Sequence, residues 1–290
     1  MFNQLMDNSS DTMCDYLMEA ETKNNGLLKF KFVDKKATRK MIEENHYSKS
    51  WYHMMGKINV GVFKDDRFLG VASYGSMKVA KSFKSISEDI VQDEIVELNR
   101  LWIDDELKKN AESLLISKSI KLIKKYHPKI RVIQSFADGR LGCGTIYQAS
   151  NFKYYGFHET EFLENKKDGR CFHEMVFHTS SRPLVITRNL EMADNRFRKF
   201  KTRTYRYLYL IDKTVKIKKV EEPYPKNPPY KEYMEWVKDD SKTKRWIDNC
   251  LKYLFVKLEK DKFRFSFDGN KYVYTKKMWL EGIHPSTLIQ

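Results

Sequence analysis

"IVELNRLWIDDELKKNAESLLISKSIKLIKKYHPKIRVIQSFAD", residues 95–138, decides the fold of this chain. Its two ends, 95–103 and 130–137, are apolar and rich in β-branched residues, which predicts two strands. The stretch between them places Ile116, Ile120 and Ile123 on one helical face, with Asn110 at the expected N-cap. Two parallel strands joined through a helix create a cleft at their carboxyl ends, where we expect the functional site.

The second strand leads into a glycine-rich turn, "SFADGRLGCGTIYQASNFKYYG", residues 135–156. Asp138 ends the strand, and Tyr147 follows the glycines on a predicted short helix. A carboxylate at a strand end could take a proton from an amine or bind a cation, but it is also typical of an ordinary turn. Tyr147 could act as an acid or simply pack on the sheet.

The rest of the chain predicts further strands and helices in the order β-α-β-β-β-α-β-α-β-β, which gives a mixed α/β sheet flanked by helices. Residues 56–75 read as a hairpin, and residues 154–178 read as a strand pair around a turn at 166–169. We predict an N-terminal arm (1–26), a catalytic domain (27–182), a basic extension with a proline-rich linker (183–230) and a small appendage (231–290).

Composition limits the function classes. No apolar run is long enough for a membrane helix, and the N-terminus has no secretory pattern, so we expect a cytoplasmic protein. The four cysteines are far apart, which favours free thiols. The formal charge of +15 indicates a polyanionic partner, above all nucleic acid.

Basic residues concentrate between residues 196 and 219, where ten of them accompany one acid, Asp212. Tyr205, Tyr207 and Tyr209 alternate with them, and they could stack on bases or line the core. The pattern favours phosphate contact over a merely solvated face. The predicted double-stranded DNA contacts are Arg196, Arg198, Lys199, Lys201, Arg203 and Arg206.

These motifs together resemble the Mom family of phage DNA-modification proteins, a divergent branch of the GNAT acetyltransferase superfamily. The resemblance covers residues 27–226 and includes "HYS", "YRYLYLI" and "PYPK". It implies a GNAT-like fold with a basic C-terminal extension, an acetyl-CoA or related acyl donor, and addition of a carbamoylmethyl group to N6 of adenine in DNA. That modification would protect DNA from host restriction.

The resemblance also implies functional positions. The catalytic set would be Asp138, Tyr147, Arg100, Ser113 and His46, and the cofactor contacts would be Asn110, Ser113, Arg100 and Tyr74. His46 and Asp138 could together hold Fe2+. We expect Arg100 to pair with an acid such as Glu97 or Asp138, or with a ligand phosphate.

Two features depart from the family patterns. The segment LKKNAES before the long helix lacks the glycines of the usual coenzyme A loop, and Cys143 stands where the Mom family has a histidine. Two alternatives therefore stay open. One is a GNAT N-acetyltransferase acting on tRNA, protein or another modified base, and the other is a non-catalytic nucleic-acid-binding protein.

Overall fold

A computed structural model describes residues 16–77, 79, 81–178, 183–226, 235–237 and 241–290 of the chain, with the backbone alone for 235–237 and 241. The described residues fall into two compact units. The first lies within Met1–Asp138, Cys143–Phe157 and Tyr205–Asn227, and the second lies within Gly139–Gly142, His158–Thr204 and Pro228–Gln290.

The first unit is built on a sheet whose strands follow the order β1-β2-β3-β4-β5-β6-β9-β7. Strands β1 to β5 pair antiparallel in sequence, and β6 lies parallel to β5. Strands β7 and β9 each contribute residues to both units. The elements are β1 Met18–Thr22, β2 Gly26–Phe32, α1 Lys35–Asn45, β3 Ile58–Lys64, β4 Arg67–Gly75, β5 Ile95–Ile103, α2 Ala111–Tyr126, β6 Val132–Asp138, α3 Thr145–Ala149, β7 Lys153–Asn165 and β9 Phe197–Leu210.

Apolar periodicity explains the helices of this unit. Helix α1 begins where the Asp34 carboxylate accepts a hydrogen bond from the Ala37 amide at 2.8 Å. Helix α2 buries Leu115, Ile116 and Ile123 completely against the sheet. This burial removes apolar surface from water and fixes α2 across the strands that flank it in sequence.

The mixed α/β sheet flanked by helices is confirmed, and so is the hairpin, whose turn holds Asp65 and Asp66 at positive φ. Two local predictions were wrong. Residues 18–22, predicted as part of an arm, form strand β1, and residues 175–178 form a helical turn instead of continuing a strand. Short segments of mixed polarity carry too weak a periodic signal to separate these outcomes.

The second unit combines a hairpin, helices and the remaining parts of β7 and β9. Its apolar core joins helix α5 to α6 and to a hairpin whose turn is Asp268-Gly269. The elements are β8 Cys171–His173, α4 Met175–His178, α5 Leu184–Ala193, β10 Glu235–Val237, α6 Ser241–Lys252, β11 Lys262–Phe267, β12 Asn270–Thr275 and α7 Lys276–Leu280. None of the helices in the described part of the chain combines the length and apolarity that a membrane span requires.

The basic segment is not an appended extension of the sheet but part of it. Residues 197–210 form β9, which lies between β6 and β7. Tyr205 and Tyr207 are 2% and 0% exposed within the core of the first unit, and Tyr209 packs against that core. The tyrosines therefore line the core, which was one of the two predicted roles.

Gly144 provides a test of this packing. Its φ is +87°, and a Cβ at that position would lie 2.6 Å from the Tyr207 ring. We expect Gly144→Ala to lower the free energy of unfolding by roughly 2–4 kcal/mol, from left-handed strain plus overpacking. Denaturant titration measures the loss. The control is Gly26→Ala, at φ +66° with nothing within 4 Å, and an equal loss there would contradict the overpacking.

Candidate active site

The site lies where strands β5 and β6 part. Their parallel register covers only Ile95–Glu97 against Val132–Gln134, although both strands continue to Ile103 and Asp138. A register shift between β4 and β5 at Ser73/Tyr74 adds a bulge beside this point. Bulges and parted strands can turn side chains toward a ligand, so this is the place in the sheet where the predicted cleft would lie.

Arg100 is the central cation of this opening. Its guanidinium donates to the Ser50 carbonyl at 3.2 Å, to the Ser50 hydroxyl at 2.8 Å and to the Asn99 carbonyl at 2.7 Å. None of these three hydrogen bonds goes to a carboxylate, so the predicted pairing of Arg100 with an acid was wrong. Neutral oxygens of Ser50 and Asn99 take that place. A half-buried guanidinium held in this way keeps its charge available for an anionic partner.

His46 is connected to Arg100 through two serines. Ser50 Oγ donates to Ser48 Oγ at 3.2 Å, and Ser48 Oγ lies 2.9 Å from His46 Nδ1. The Ser48 amide also donates to Nδ1 at 3.1 Å, so Nδ1 is an acceptor and the ring proton sits on Nε2. Burial, reinforced by the charge of Arg100, lowers the pKa of His46 to about 4. His46 is therefore a neutral hydrogen-bond donor at neutral pH.

Tyr147 projects from α3 toward the same opening. Its ring packs on Tyr207 with centroids 5.3 Å apart, and its hydroxyl donates to the Phe136 carbonyl at 3.4 Å. Burial raises the pKa of Tyr147 to about 12, and the charge of Arg100 acts on the same hydroxyl in the opposite direction. The phenol is 8% exposed, so it can act as a neutral acid or donor only toward a group that enters the opening.

Asp138 is half-buried at the last residue of β6. Strand alternation assigns Gln134, Phe136 and Asp138 to one face, and it assigns Ser135 and Ala137 to the face that α3 covers. Tyr147 therefore approaches from the α3 side, and Asp138 belongs to the face where Gln134 contacts Glu97. Tyr147 and Asp138 are therefore assigned to opposite faces of the sheet, and a joint catalytic role for them stays a prediction.

A polar cluster that the sequence did not predict lies where the pairing of β5 and β6 ends, at Glu97 and Gln134. The Glu97 carboxylate accepts hydrogen bonds from the side-chain amide of Asn99 at 2.9 Å and from the side-chain amide of Gln134 at 3.0 Å. Arg206 lies over the Phe136 ring at 5.4 Å, and Glu97 opposes the lowering of the Arg206 pKa by burial. The glutamine inside a buried strand was the available signal, because burying an amide requires partners.

Three buried polar atoms of this cluster have no hydrogen-bond partner among the described residues: Asn99 Oδ1, Gln134 Oε1 and Arg206 Nη1. Leaving such an atom unpaired costs about 1–3 kcal/mol. A cluster with two free acceptors and one free donor is a site with unused capacity to bind a polar ligand.

A cavity of about 600 Å³ lies at the N-terminus of α2. Asn110, Ser113 and Lys109 line it. Asn110 has φ +74°, so it takes the left-handed conformation that a glycine usually supplies in such a loop, and its side chain makes no capping bond. The Ser113 hydroxyl donates to the Asn110 carbonyl at 3.1 Å. Free helical amides and a nearby lysine suit an anionic group here.

Tyr74 does not line either space. It is 0% exposed, its hydroxyl forms a short hydrogen bond with Ser119 Oγ on α2, and burial raises its pKa. Its place is in the core, where it joins β4 to α2, so we correct its expected contact with the cofactor.

The predicted iron site gains no support from these residues. No group of three or more His, Cys, Asp or Glu side chains that could hold a metal occurs in the part of the chain that the structure describes. With Nδ1 accepting the Ser48 amide proton, His46 offers an N–H donor at Nε2 and not the free lone pair that a metal needs. We therefore derive no step through iron.

The predicted DNA-contacting cations are largely paired within the second unit. Arg196 pairs with Asp268, Arg198 with Glu164, Lys199 with Glu161 at 2.6 Å and Lys201 with Glu159 at 3.3 Å. Three of these acids belong to β7, which lies beside β9 in the sheet. The local excess of positive charge in the sequence is thus compensated by a neighbouring strand, and DNA contact by these residues stays a prediction.

A mixed α/β protein with a polar site between parted strands is the class that these features define. A model of the Mom protein family matches residues 27–226, and the chain belongs to this family, as the resemblance predicted. As a member of this family, it is a transferase.

Individual relatives agree with this assignment. The chain is 33% identical over 195 residues to the methylcarbamoylase Mom of Escherichia phage Mu, covering 65% of this chain and 79% of that protein. A GNAT-family acetyltransferase from Streptococcus pneumoniae has 12% identity and a TM-score of 0.38, covering 63% of this chain and 99% of that chain. An N-acetyltransferase from Staphylococcus aureus Mu50 has 9% identity and a TM-score of 0.34, covering 63% and 97%. At these scores the structural likeness supports no conclusion about chemistry.

The lowered pKa of His46 predicts a pH effect on stability. The His46 side chain takes up a proton near pH 6.5 in the unfolded chain but only near pH 4 in the folded protein. Its contribution to the free energy of unfolding is therefore complete above pH 6.5 and is lost as the pH falls toward 4. The loss should approach about 3 kcal/mol. We expect His46→Asn, which keeps an acceptor for the Ser48 amide, to flatten unfolding free energy against pH in that range. The same substitution at exposed His53 should leave this pH dependence unchanged. An unaltered pH dependence in His46→Asn would contradict the lowered pKa of His46.

Lys199 gives a test of the paired cations. It is 7% exposed, and its ammonium contacts both Glu161 and Glu174. Lys199→Met would leave both carboxylates, which are partly exposed, with Lys242 as their remaining cation, and we expect about 1–3 kcal/mol less stability with unchanged affinity for duplex DNA. Lys201→Met, at a more exposed pair, should cost under about 1 kcal/mol. Weaker DNA binding without lost stability in Lys199→Met would support the predicted phosphate contact instead.

Proposed function

We propose that this protein transfers a carbamoylmethyl-type group to the N6 amine of adenine in double-stranded DNA, and that the modification shields the DNA from host restriction. Membership of the Mom family and 33% identity to a phage methylcarbamoylase support the choice of this transferred group. The formal charge of +15 supports a nucleic acid as the partner.

One observation carries the choice of an amine acceptor: the unpaired buried atoms around Glu97. The free oxygens Asn99 Oδ1 and Gln134 Oε1 can accept N–H bonds, and the free Arg206 Nη1 can donate to a ring nitrogen. An aminopurine edge offers that combination of donors and acceptor. Because the target amine lies inside the duplex stack, the adenine would be flipped out to reach the site.

The site residues then have distinct roles. In the reaction N6 forms a bond to the carbon of the transferred group, the donor loses its leaving group, and N6 gives up a proton. Asp138 is the proposed acceptor of that proton, and the Tyr147 phenol donates a hydrogen bond or proton to the departing group. Arg100, held by neutral acceptors, stabilises negative charge that develops in the transition state. His46 orients this arrangement through Ser48 and Ser50.

The cavity at α2 fits the phosphates of an acetyl-CoA or related acyl donor. Asn110 supplies the backbone conformation that the missing glycines would give, and Lys109, Ser113 and the first amides of α2 would hold the anion. Because a carbamoylmethyl group joins N6 through its methylene carbon, the donor would have to carry its leaving group on that carbon, and simple acyl transfer from acetyl-CoA would give N6-acetyladenine instead. Ala149 of α3 lines this cavity and Tyr147 lies two residues before it, so α3 connects the two parts of the site.

Nucleoside mass spectrometry tests the proposal. DNA from cells expressing the protein should contain an adenosine species heavier by a carbamoylmethyl group. We expect Tyr147→Phe and Asp138→Asn to reduce its yield by about 100-fold or more, because each removes a proton-transfer group. Tyr126→Phe and Asp93→Asn, at exposed positions, are the matched controls and should leave the yield unchanged.

Other outcomes would contradict the proposal. Unchanged nucleosides together with newly acetylated tRNA or protein would favour an acetyltransferase acting on another amine. A cellular phenotype that survives both active-site substitutions but is lost on charge reversal at Arg203 and Arg206 would favour nucleic-acid binding alone.

A further inference from the structure

The second unit contains a cavity that the family match does not cover. It has a volume of about 620 Å³, and most of its lining comes from residues after 240, outside the matched range 27–226. Helix α5 contributes Leu190, helix α6 contributes Ile247 and Leu251, and α7 contributes Trp279. This size lies within the range of pockets that enclose small organic ligands.

Two polar side chains in this cavity have unused hydrogen-bonding atoms. Thr243 is 6% exposed, and its Oγ1 has no partner among the described residues. His284 Nε2 is likewise buried and unpartnered within the described chain. Both residues line the same cavity, so a ligand there would satisfy two atoms that the fold leaves unpaired.

The tautomer of His284 follows from its local bonds. Its Nδ1 accepts from the Ser286 amide at 3.2 Å and lies 2.7 Å from the Ser286 hydroxyl, so the proton is on Nε2. Burial lowers the pKa of His284, with Lys244 acting in the same direction and Asp248 in the opposite one. The ring is therefore a neutral N–H donor at Nε2, in a residue that lines the cavity.

The remaining walls define the chemistry of the ligand. Trp279 stacks on Phe255 with centroids 5.6 Å apart and also lines the cavity, so its indole is backed by a second ring. Lys244 and Asp248 lie one helical turn apart on α6, and both are exposed at the lining. A flat ring with hydrogen-bonding edges suits the aromatic and polar walls, and an attached phosphate suits Lys244.

We propose that this cavity binds the base of a nucleotide, with His284 Nε2 donating to a ring nitrogen or carbonyl of the base, Thr243 bonding to its polar edge and Trp279 packing on its face. Residues 241–290 carry eleven basic and five acidic side chains, which favours an anionic ligand over a neutral aromatic one. The source is either a free nucleoside monophosphate or an unpaired base within a DNA strand. This site is independent of the proposed transfer reaction.

Calorimetric titration of the full-length protein tests the site. The probes are the four deoxynucleoside monophosphates and a short single-stranded DNA. We expect binding by at least one probe, weakened about five- to ten-fold by Thr243→Val and by His284→Asn. The asparagine keeps an acceptor for the Ser286 amide and removes only the donor that faces the cavity. If a monophosphate binds, a free nucleotide is a sufficient ligand for the cavity. If only the single-stranded DNA binds, the ligand is an unpaired base within a strand.

Matched measurements separate this outcome from misfolding and from the catalytic site. Thr187→Val, on α5 away from the cavity lining, should leave affinity unchanged, and thermal unfolding of every variant checks the fold. Thr243→Val should not lower stability, because it removes an unpaired hydroxyl. No binding by any probe, or binding that neither cavity substitution weakens, overturns the proposal. Adenosine modification by both variants, measured in parallel, reports on the transfer reaction separately.

Discussion

The short register between β5 and β6 is the constraint on which the site depends. Only three residue pairs join these parallel strands, and the last pair is Glu97 with Gln134. If the pairing continued to the strand ends, backbone hydrogen bonds would close the space beside Arg100. Instead, the residues after Glu97 and Gln134 form hydrogen bonds elsewhere, and Ser50 in loop 46–56 accepts two of those that Arg100 donates. The cleft is thus a consequence of strand pairing that stops early, and helix α3 closes one side of it.

Much of this architecture could be predicted from the chain alone. Strand β5 and helices α2 and α3 have strong apolar periodicity and clear end signals, so their existence, and nearly their bounds, followed from local sequence. Arg100 and Tyr147 were named as functional positions by the family resemblance, and not by periodicity. The partners of Arg100 were not predictable, because Ser50 lies fifty residues away in sequence and a loop has no period that reveals where it folds back.

The basic segment shows a different limit of sequence reasoning. Counting charges along residues 196–219 treats neighbours in sequence as neighbours in space, which holds for a helix face or a disordered tail. In a sheet, the nearest charges belong to the adjacent strand, and β7 brings Glu159, Glu161 and Glu164 to β9. The strand position of β9 could not be recognised from its composition, because its core-facing tyrosines also suit a surface that stacks on bases.

Both histidines that face the proposed sites are held by the same local device. In His46-Tyr47-Ser48 and in His284-Pro285-Ser286, Nδ1 accepts the amide proton two residues later and contacts the hydroxyl of the same serine. This bond fixes the ring orientation and directs the proton to Nε2, and burial lowers the pKa in each case. A histidine held in this way favours the neutral form, with its proton on Nε2. It is suited to holding a polar ligand or orienting a neighbour, whereas the proton abstraction that we propose in the first unit is assigned to a carboxylate.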